Sequence, residues 1–386
     1  MSGNHQKEAN NIQLDTIEHA IEAIKAGEVI IVVDDEDREN EGDFICAADK
    51  ITPEIINFMA THGRGLICTP IEENRADELG LNMMVSNNTA LHETAFTVSI
   101  DLIGQGCSTG ISAHDRSTGI RALVDSTTKA SDFARPGHIF PLRAKTGGVL
   151  RRTGHTEAAI DLAKLAGFSP AGVLVEILNE DGSMARLPEL AQIASKHNLK
   201  LISIKDLVEY RMRTERIVRK ELSVEMESPY GKFMVHAFTQ LTTGDTHLAI
   251  SKGALKATDA PVLVRVHSNT ETGDIIGNLF EGYGKQLEIT MKMIAEEGTG
   301  VLLYMRHSEK QDAILNHLKA IAKVAEPDPE SIKTTSEIQR DYGVGAQILR
   351  ELGINKIRLI SNNPKRRVAL PGYGLEIVET VALAKD

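Results

Sequence analysis

The stretch that decides the fold is Val29-Ile30-Ile31-Val32-Val33, followed directly by Asp34-Asp35-Glu36-Asp37-Arg38-Glu39-Asn40-Glu41-Gly42-Asp43. Five β-branched residues in a row leave no polar face, so the run reads as a short strand buried on both sides. Helix candidates surround it. Ile17 to Ala26 repeats apolar residues at helical spacing and stops at Gly27. Pro53 to Thr61, Gly119 to Ser126, Glu157 to Ala166, Leu187 to His197 and Lys205 to Arg211 also read as helices. Strand patterns fall between them at Leu66–Cys68, Thr94–Ile100, Gly172–Leu178 and Leu201–Ile204. Strands alternating with helices predict an α/β domain, a mixed sheet with helices on its faces.

The chain has 386 residues, which predicts two domains. The charged, weakly patterned stretch 212–227 reads as the linker between a first domain, 1–211, and a second, 228–386. The second half restarts the alternation. Strand patterns occur at Lys232–Phe238, His247–Ile250, Pro261–Val266, Val301–Met305 and Lys356–Ile360, with helices at Lys285–Glu297 and Tyr342–Leu352. It predicts a second α/β layered domain.

A formal charge of -11 disfavours nucleic acid and anionic membrane surfaces as partners. No apolar run approaches the ~20 residues of a membrane span. Met1 to Asn11 is polar and has no apolar signal region. Three cysteines, Cys46, Cys68 and Cys107, form no metal-finger or redox spacing. They read as reduced thiols of a cytoplasmic protein.

Four stretches carry chemistry. The acidic loop reads either as a solvated turn or as a cation site. Crowded carboxylates repel unless a cation or a raised pKa relieves them, and hard oxygen ligands favour magnesium. Arg38 inside it offers a fork for a phosphate. Next, Arg151-Arg152-Thr153-Gly154-His155-Thr156-Glu157 opens a helix, whose free N–H groups attract phosphate. His155 reads as a metal ligand or a surface residue of the cap. The third stretch, Arg135 to Arg143, holds two prolines and a glycine around His138 and reads as a rigid loop presenting an acid–base group. Finally, Glu176 interrupts the apolar strand Val173 to Leu178, where a carboxylate needs a partner or a function, or else faces solvent.

The acidic run, the Arg135–Arg143 loop and Gly154-His155-Thr156-Glu157 occur in the order and spacing of 3,4-dihydroxy-2-butanone 4-phosphate synthase, and the first half resembles that family. Asn87-Asn88-Thr89, Thr109-Gly110, Asp115-Arg116 and Asn179 to Arg186 add to the resemblance, which covers about Ile17 to Arg211. It implies conversion of D-ribulose 5-phosphate to L-3,4-dihydroxy-2-butanone 4-phosphate and formate, in riboflavin biosynthesis, by a homodimer using magnesium or manganese. It further implies Glu39 and His155 as metal ligands. Substrate contacts would come from Arg38, Glu39, Asp43, Glu176 and the segment Arg152, Thr153, Gly154, His155 and Thr156. His138 and Glu176 match its essential residues, and Glu41 is a further candidate base. Cys68 reads as packing, and Asp34 to Asp37 receive no catalytic role.

Val264-Arg265-Val266-His267-Ser268, Thr272-Gly273-Asp274, Gln286-Leu287-Glu288 and Ser361 to Lys365 resemble GTP cyclohydrolase II. That family binds zinc through three cysteines, and this chain has Thr270, Glu281 and Tyr283 in those places. The nucleotide segment is replaced around His307 to Lys310, and Ile338 stands where an aspartate is expected, although Arg340 remains. No zinc is expected, because the thiolates are missing. The expectation is a second domain that is structural rather than catalytic. The alternatives are a bifunctional enzyme that also hydrolyses GTP, and a regulatory module that binds a nucleotide through Arg265 or Lys365.

Overall fold

A computed structural model of the chain describes residues 12–35, 38–86, 88, 94–255, 260–270, 283–307, 335–362 and 375–383. Within these, no helix is long and apolar enough to cross a membrane. The chain divides into two compact units, Met1–Tyr210 and Arg211–Asp386.

The first unit is built on a seven-stranded mixed sheet in the order β4-β5-β3-β6-β2-β1-β7. The strands are β1 (Ile30–Val33), β2 (Gly42–Ala47), β3 (Cys68–Glu72), β4 (Ile100–Leu102), β5 (Phe133–Ala144), β6 (Gly172–Glu176) and β7 (Leu201–Ser203). All four residues of β1 are buried, as its unbroken apolar run requires. Ile31 and Val33 pack into a core with Phe44, Val173, Val175, Ile56, Met59 and Leu190. Successive side chains alternate across a strand, so Ile30 and Val32 face the opposite side. There the helix His155–Leu165 lies on β2 and β6, and the helix Ile17–Ala26 lies against it. Helices on both faces were therefore legible from one pentapeptide.

Two strands escape the sequence pattern. β2 begins at Gly42 and Asp43, and the acidic residues before it hide its start. β5 takes in the Arg135–Arg143 segment, which is a twelve-residue strand rather than the expected rigid loop. Its register shifts against β4 between Ile100 and Asp101, near Pro136, whereas Pro141 lies opposite Thr69 in the regular ladder with β3.

The second unit holds another seven-stranded mixed sheet, ordered β14-β13-β11-β12-β10-β9-β8. Its strands are β8 (Val218–Ser228), β9 (Gly231–Gln240), β10 (Thr246–Lys252), β11 (Val262–Thr270), β12 (Gly300–His307), β13 (Lys356–Ile360) and β14 (Glu376–Val381). The helix Tyr283–Glu297 lies against β11 and β12. Residues 212–227 do not form the expected linker. The helix Ile204–Thr214 runs into them and β8 occupies most of the rest. β8 is an edge strand held by hydrogen bonds to β9, and its residues are nearly all exposed after Val218, although Leu222, Val224 and Met226 alternate with polar residues as a strand would. Glu281, Ser308 to Lys310, Lys365, Asn87, Thr89, Glu36 and Asp37 lie outside the described residues, as do the side chains of Thr270, Tyr283, His307, Ile338 and Arg340.

Candidate active site

β1 and β2 are antiparallel, with Val33 opposite Gly42, so the acidic loop closes a hairpin at the end of β1. Asp34, its first residue, is buried and organises the loop from within. One carboxylate oxygen accepts the backbone N–H of Glu41 at 2.8 Å. The other accepts Arg38 Nη1 at 2.8 Å and the N–H of Glu39 at 3.3 Å. The second guanidinium nitrogen of Arg38 lies 2.9 Å from Glu39 Oε1. The fork of Arg38 thus bridges two carboxylates, Asp34 and Glu39, and offsets charge that would otherwise drive the loop apart.

His155 enters from across the sheet as the first residue of its helix, and it is buried. Its Nε2 lies 3.1 Å from the carbonyl oxygen of Val32. A carbonyl only accepts, so Nε2 carries the proton and Nδ1 keeps its lone pair. Burial lowers the pKa of His155, which keeps the ring neutral and able to bind a cation. One ligand atom each from Asp34, Glu39 and His155 lie within 4.8 Å of one another, the one such cluster of three among the described residues.

Asp43 stands beside this cluster, its Oδ1 3.9 Å from His155 Nδ1. It is opposite Glu176 on the neighbouring strand β6. That Oδ1 is buried and has no hydrogen-bond partner. Burial, and then the charge of Glu176, push the Asp43 pKa well above the usual carboxylate range. Glu41 is also raised, by burial and then by Glu39, with Arg186 opposing. An orphaned buried carboxylate oxygen, a neutral imidazole and two further carboxylates fit a hard divalent cation.

Glu176 is half-buried on an interior strand and does not face solvent from an edge. Its Oε2 accepts the N–H of Leu66 at 2.9 Å. A Cβ at Gly65 would lie 2.5 Å from that oxygen, so only glycine lets the chain approach so closely. Cys68 is buried nearby. Burial, and then Glu176 and Asp43, raise its thiol pKa, which leaves it protonated and consistent with packing.

Gly154 caps the His155 helix in an extended conformation with no side-chain cap bond. Arg152 Nη1 is 2.7 Å from Glu157 Oε2, and Thr153 and Thr156 are buried alongside. The segment therefore offers helix-start N–H groups and a fixed guanidinium together.

His138 stands apart on β5, which is separated from β2 by β3 and β6. Its described polar contacts go to Asp101, whose Oδ1 accepts the His138 backbone N–H at 2.8 Å while Oδ2 lies 2.7 Å from Nδ1. The ring is 46% exposed. The described contacts thus assemble Arg38, Glu39, Glu41, Asp43, His155 and Glu176, and leave His138 with its own carboxylate.

Sequence reasoning missed Asp34, Asp101 and Arg186. Asp34 had a signal, since it is the first residue after a buried strand, where ligands of α/β sheets gather. Asp101 had none, being one carboxylate among many.

The raised Asp43 and Glu41 predict how metal and protons compete. Both hold protons above the usual carboxylate range, and a cation must displace them. Stabilisation of the protein by Mg²⁺ is therefore expected to grow as the pH rises above the usual carboxylate range. Thermal melts at fixed Mg²⁺ check this, and a shift independent of pH would remove the role given to these carboxylates.

Comparison with known proteins identifies the families of both units. The profile of the 3,4-dihydroxy-2-butanone 4-phosphate synthase family matches residues 18–210, and that of GTP cyclohydrolase II matches 219–382. The riboflavin biosynthesis protein RibBA of Cytophaga hutchinsonii is 61% identical over 377 residues, 96% of this chain and 93% of that one. The crystal structure of RibBX, a two-domain 3,4-dihydroxy-2-butanone 4-phosphate synthase from A. baumannii, aligns with TM-score 0.77 at 37% identity, over 96% of this chain and all of that one. A 3,4-dihydroxy-2-butanone 4-phosphate synthase solved in complex with two magnesium ions aligns with TM-score 0.50 at 42% identity, over 52% of this chain and 98% of that one. The chain belongs to the 3,4-dihydroxy-2-butanone 4-phosphate synthase family through its first domain, which is joined to a domain of the GTP cyclohydrolase II family.

Proposed function

We propose that the first domain converts D-ribulose 5-phosphate to L-3,4-dihydroxy-2-butanone 4-phosphate and formate. The convergence of Asp34, Glu39 and His155 carries this reading, because carbon-skeleton rearrangement of a ketose needs a cation among acid–base groups. A divalent cation, magnesium or manganese, when bound by Glu39 and His155 with Asp34 beside them, supplies Lewis-acid polarisation of the ketone and its neighbouring hydroxyl.

The chain's own groups do the rest. Asp43 and Arg38 orient the sugar hydroxyls. The Arg152–Thr156 segment holds the phosphate at the helix start. Glu41, whose pKa burial and the charge of Glu39 raise above the usual carboxylate range, is the candidate to give up and take back a proton. Glu176 and His138 serve as the other proton carriers. A homodimer in the cytoplasm completes the reading, and the three free cysteines support a reducing compartment. Formate released from ribulose 5-phosphate is the test. It is expected with Mg²⁺ and absent after chelation, and equal release in both conditions would sink the proposal.

The second domain calls for its own reading. Its membership in the GTP cyclohydrolase II family, and relatives named RibBA that span both domains, favour GTP chemistry and speak against the expectation of a purely structural domain. One observation favours the opposite: no cysteine lies beyond Cys107. Any GTP hydrolysis here must proceed without cysteine thiolates on zinc. A parallel tube with GTP and zinc decides. Formate from GTP establishes bifunctionality without thiolates, and no turnover leaves one activity in the chain.

A further inference from the structure

The loop that carries Glu39 is held from two sides. From within, Asp34 gathers the N–H groups of Glu39 and Glu41. From outside, Arg186 reaches 147 residues back along the chain and donates from Nη1 to the carbonyl oxygen of Glu39 at 2.9 Å. The same nitrogen donates to the carbonyl of Asn40. Asn40 has φ +55°, the left-handed region, so the chain turns sharply at the residue between Glu39 and Glu41. Such a turn persists only where its surroundings hold it.

Arg186 is itself fixed. Its backbone N–H donates to Glu189 Oε2 at 3.0 Å, at the start of the helix Leu187–His197. One turn on, Leu190 of that helix covers Gly42, where a Cβ would lie 2.4 Å from Leu190 Cδ1. The helix start therefore touches the loop at Glu39, Asn40 and Gly42, bracketing Glu41. Arg186 touches none of the candidate ligand carboxylates through its own side chain.

We propose that Arg186 is a positioning residue, which clamps the backbone at Glu39 and Asn40 so that the Glu39 carboxylate is preorganised for the divalent cation. This rests on the reading of Glu39 as a ligand. Ligand-supporting groups of this kind typically contribute about 10–100-fold in metal affinity.

The test titrates the full-length protein with Mn²⁺, following free ion by electron paramagnetic resonance, and measures formate release in parallel. Arg186→Gln is expected to weaken Mn²⁺ binding about 10–100-fold. Its kcat at saturating metal should change less than its Mn²⁺ affinity, and what change remains reports on Glu41, whose pKa the Arg186 charge lowers. Arg186→Lys, which keeps the charge and one donor, should recover part of the affinity. Glu189→Gln retains the guanidinium and should bind Mn²⁺ within about twofold of the parent. Unchanged Mn²⁺ binding in Arg186→Gln overturns the proposal. So does a loss equally large in Glu189→Gln, which would mark general damage to the helix start. If Arg186→Gln melts early, Arg186→Lys decides: weakened binding at an unchanged melting temperature supports the clamp, and full binding overturns it. Because Mn²⁺ binding is read directly, a parent protein that binds the ion but releases no formate refutes the proposed reaction and leaves the clamp tested.

Discussion

His155→Ala is expected to reduce formate release from ribulose 5-phosphate by about a thousandfold, near 4 kcal/mol of barrier. The ring gives Nδ1 to the cluster because Nε2 is committed to the carbonyl of Val32. Alanine removes a ligand and also the imidazole's bond to the Val32 carbonyl, which keeps its place in the β1–β2 ladder, so the added cost in stability is about 1 kcal/mol. The assay therefore needs melting curves beside it, at temperatures where the variant stays folded. His155→Gln separates the two effects, since an amide N–H can reach Val32 without supplying an imidazole lone pair. Both variants should lose Mn²⁺ binding. Activity within tenfold of the parent in either one, at saturating metal, removes His155 from the metal site.

Much of this was legible in the sequence, for physical reasons that can be named. The Val29–Val33 run could only be a strand covered on both faces, and the helices that cover it carry their own apolar stripes. The acidic loop and His155 could each be read as a candidate cation site from their residue types, while the choice of Glu39 within the loop came from the family resemblance. What stayed hidden depends on contacts across long sequence distances. Asp34 looked like one more acid in a crowded turn until its oxygens were seen to accept the N–H groups of Glu39 and Glu41. β5 was hidden by its two prolines, which signal a loop locally and are overridden by pairing with β3 along five residues. β8 carried an alternating signal in Leu222, Val224 and Met226, which the surrounding charged residues masked. For the second domain, the missing cysteines set a chemical constraint, while its family membership rests on the whole domain and points the other way. Neither replaces the other, and a GTP assay weighs them.

Asp101→Asn is expected to reduce kcat by about 10²- to 10⁴-fold while leaving Mn²⁺ binding unchanged. Asp101 holds His138 at two points, accepting the backbone N–H with one oxygen and facing Nδ1 with the other. A carboxylate can only accept at neutral pH, so it fixes the proton on Nδ1 and presents Nε2 to the half-open side of the strand. Asparagine has nearly the same shape and keeps one acceptor for the backbone N–H. Its amide group then turns toward Nδ1 and donates, which moves the ring proton to Nε2 and removes the free base. The loss should therefore appear in kcat, with little change in melting temperature. Asp101→Glu, which retains charge but shifts the carboxylate, should fall between. Because β5 stands apart from the Asp34–Glu39–His155 cluster, a damaged cluster and a damaged dyad give different signatures. The first loses metal, and the second keeps metal and loses proton transfer. If Asp101→Asn turns over as fast as the parent, His138 is not a proton carrier, and the acid–base work falls to Glu41, Asp43 and Glu176 around the cation.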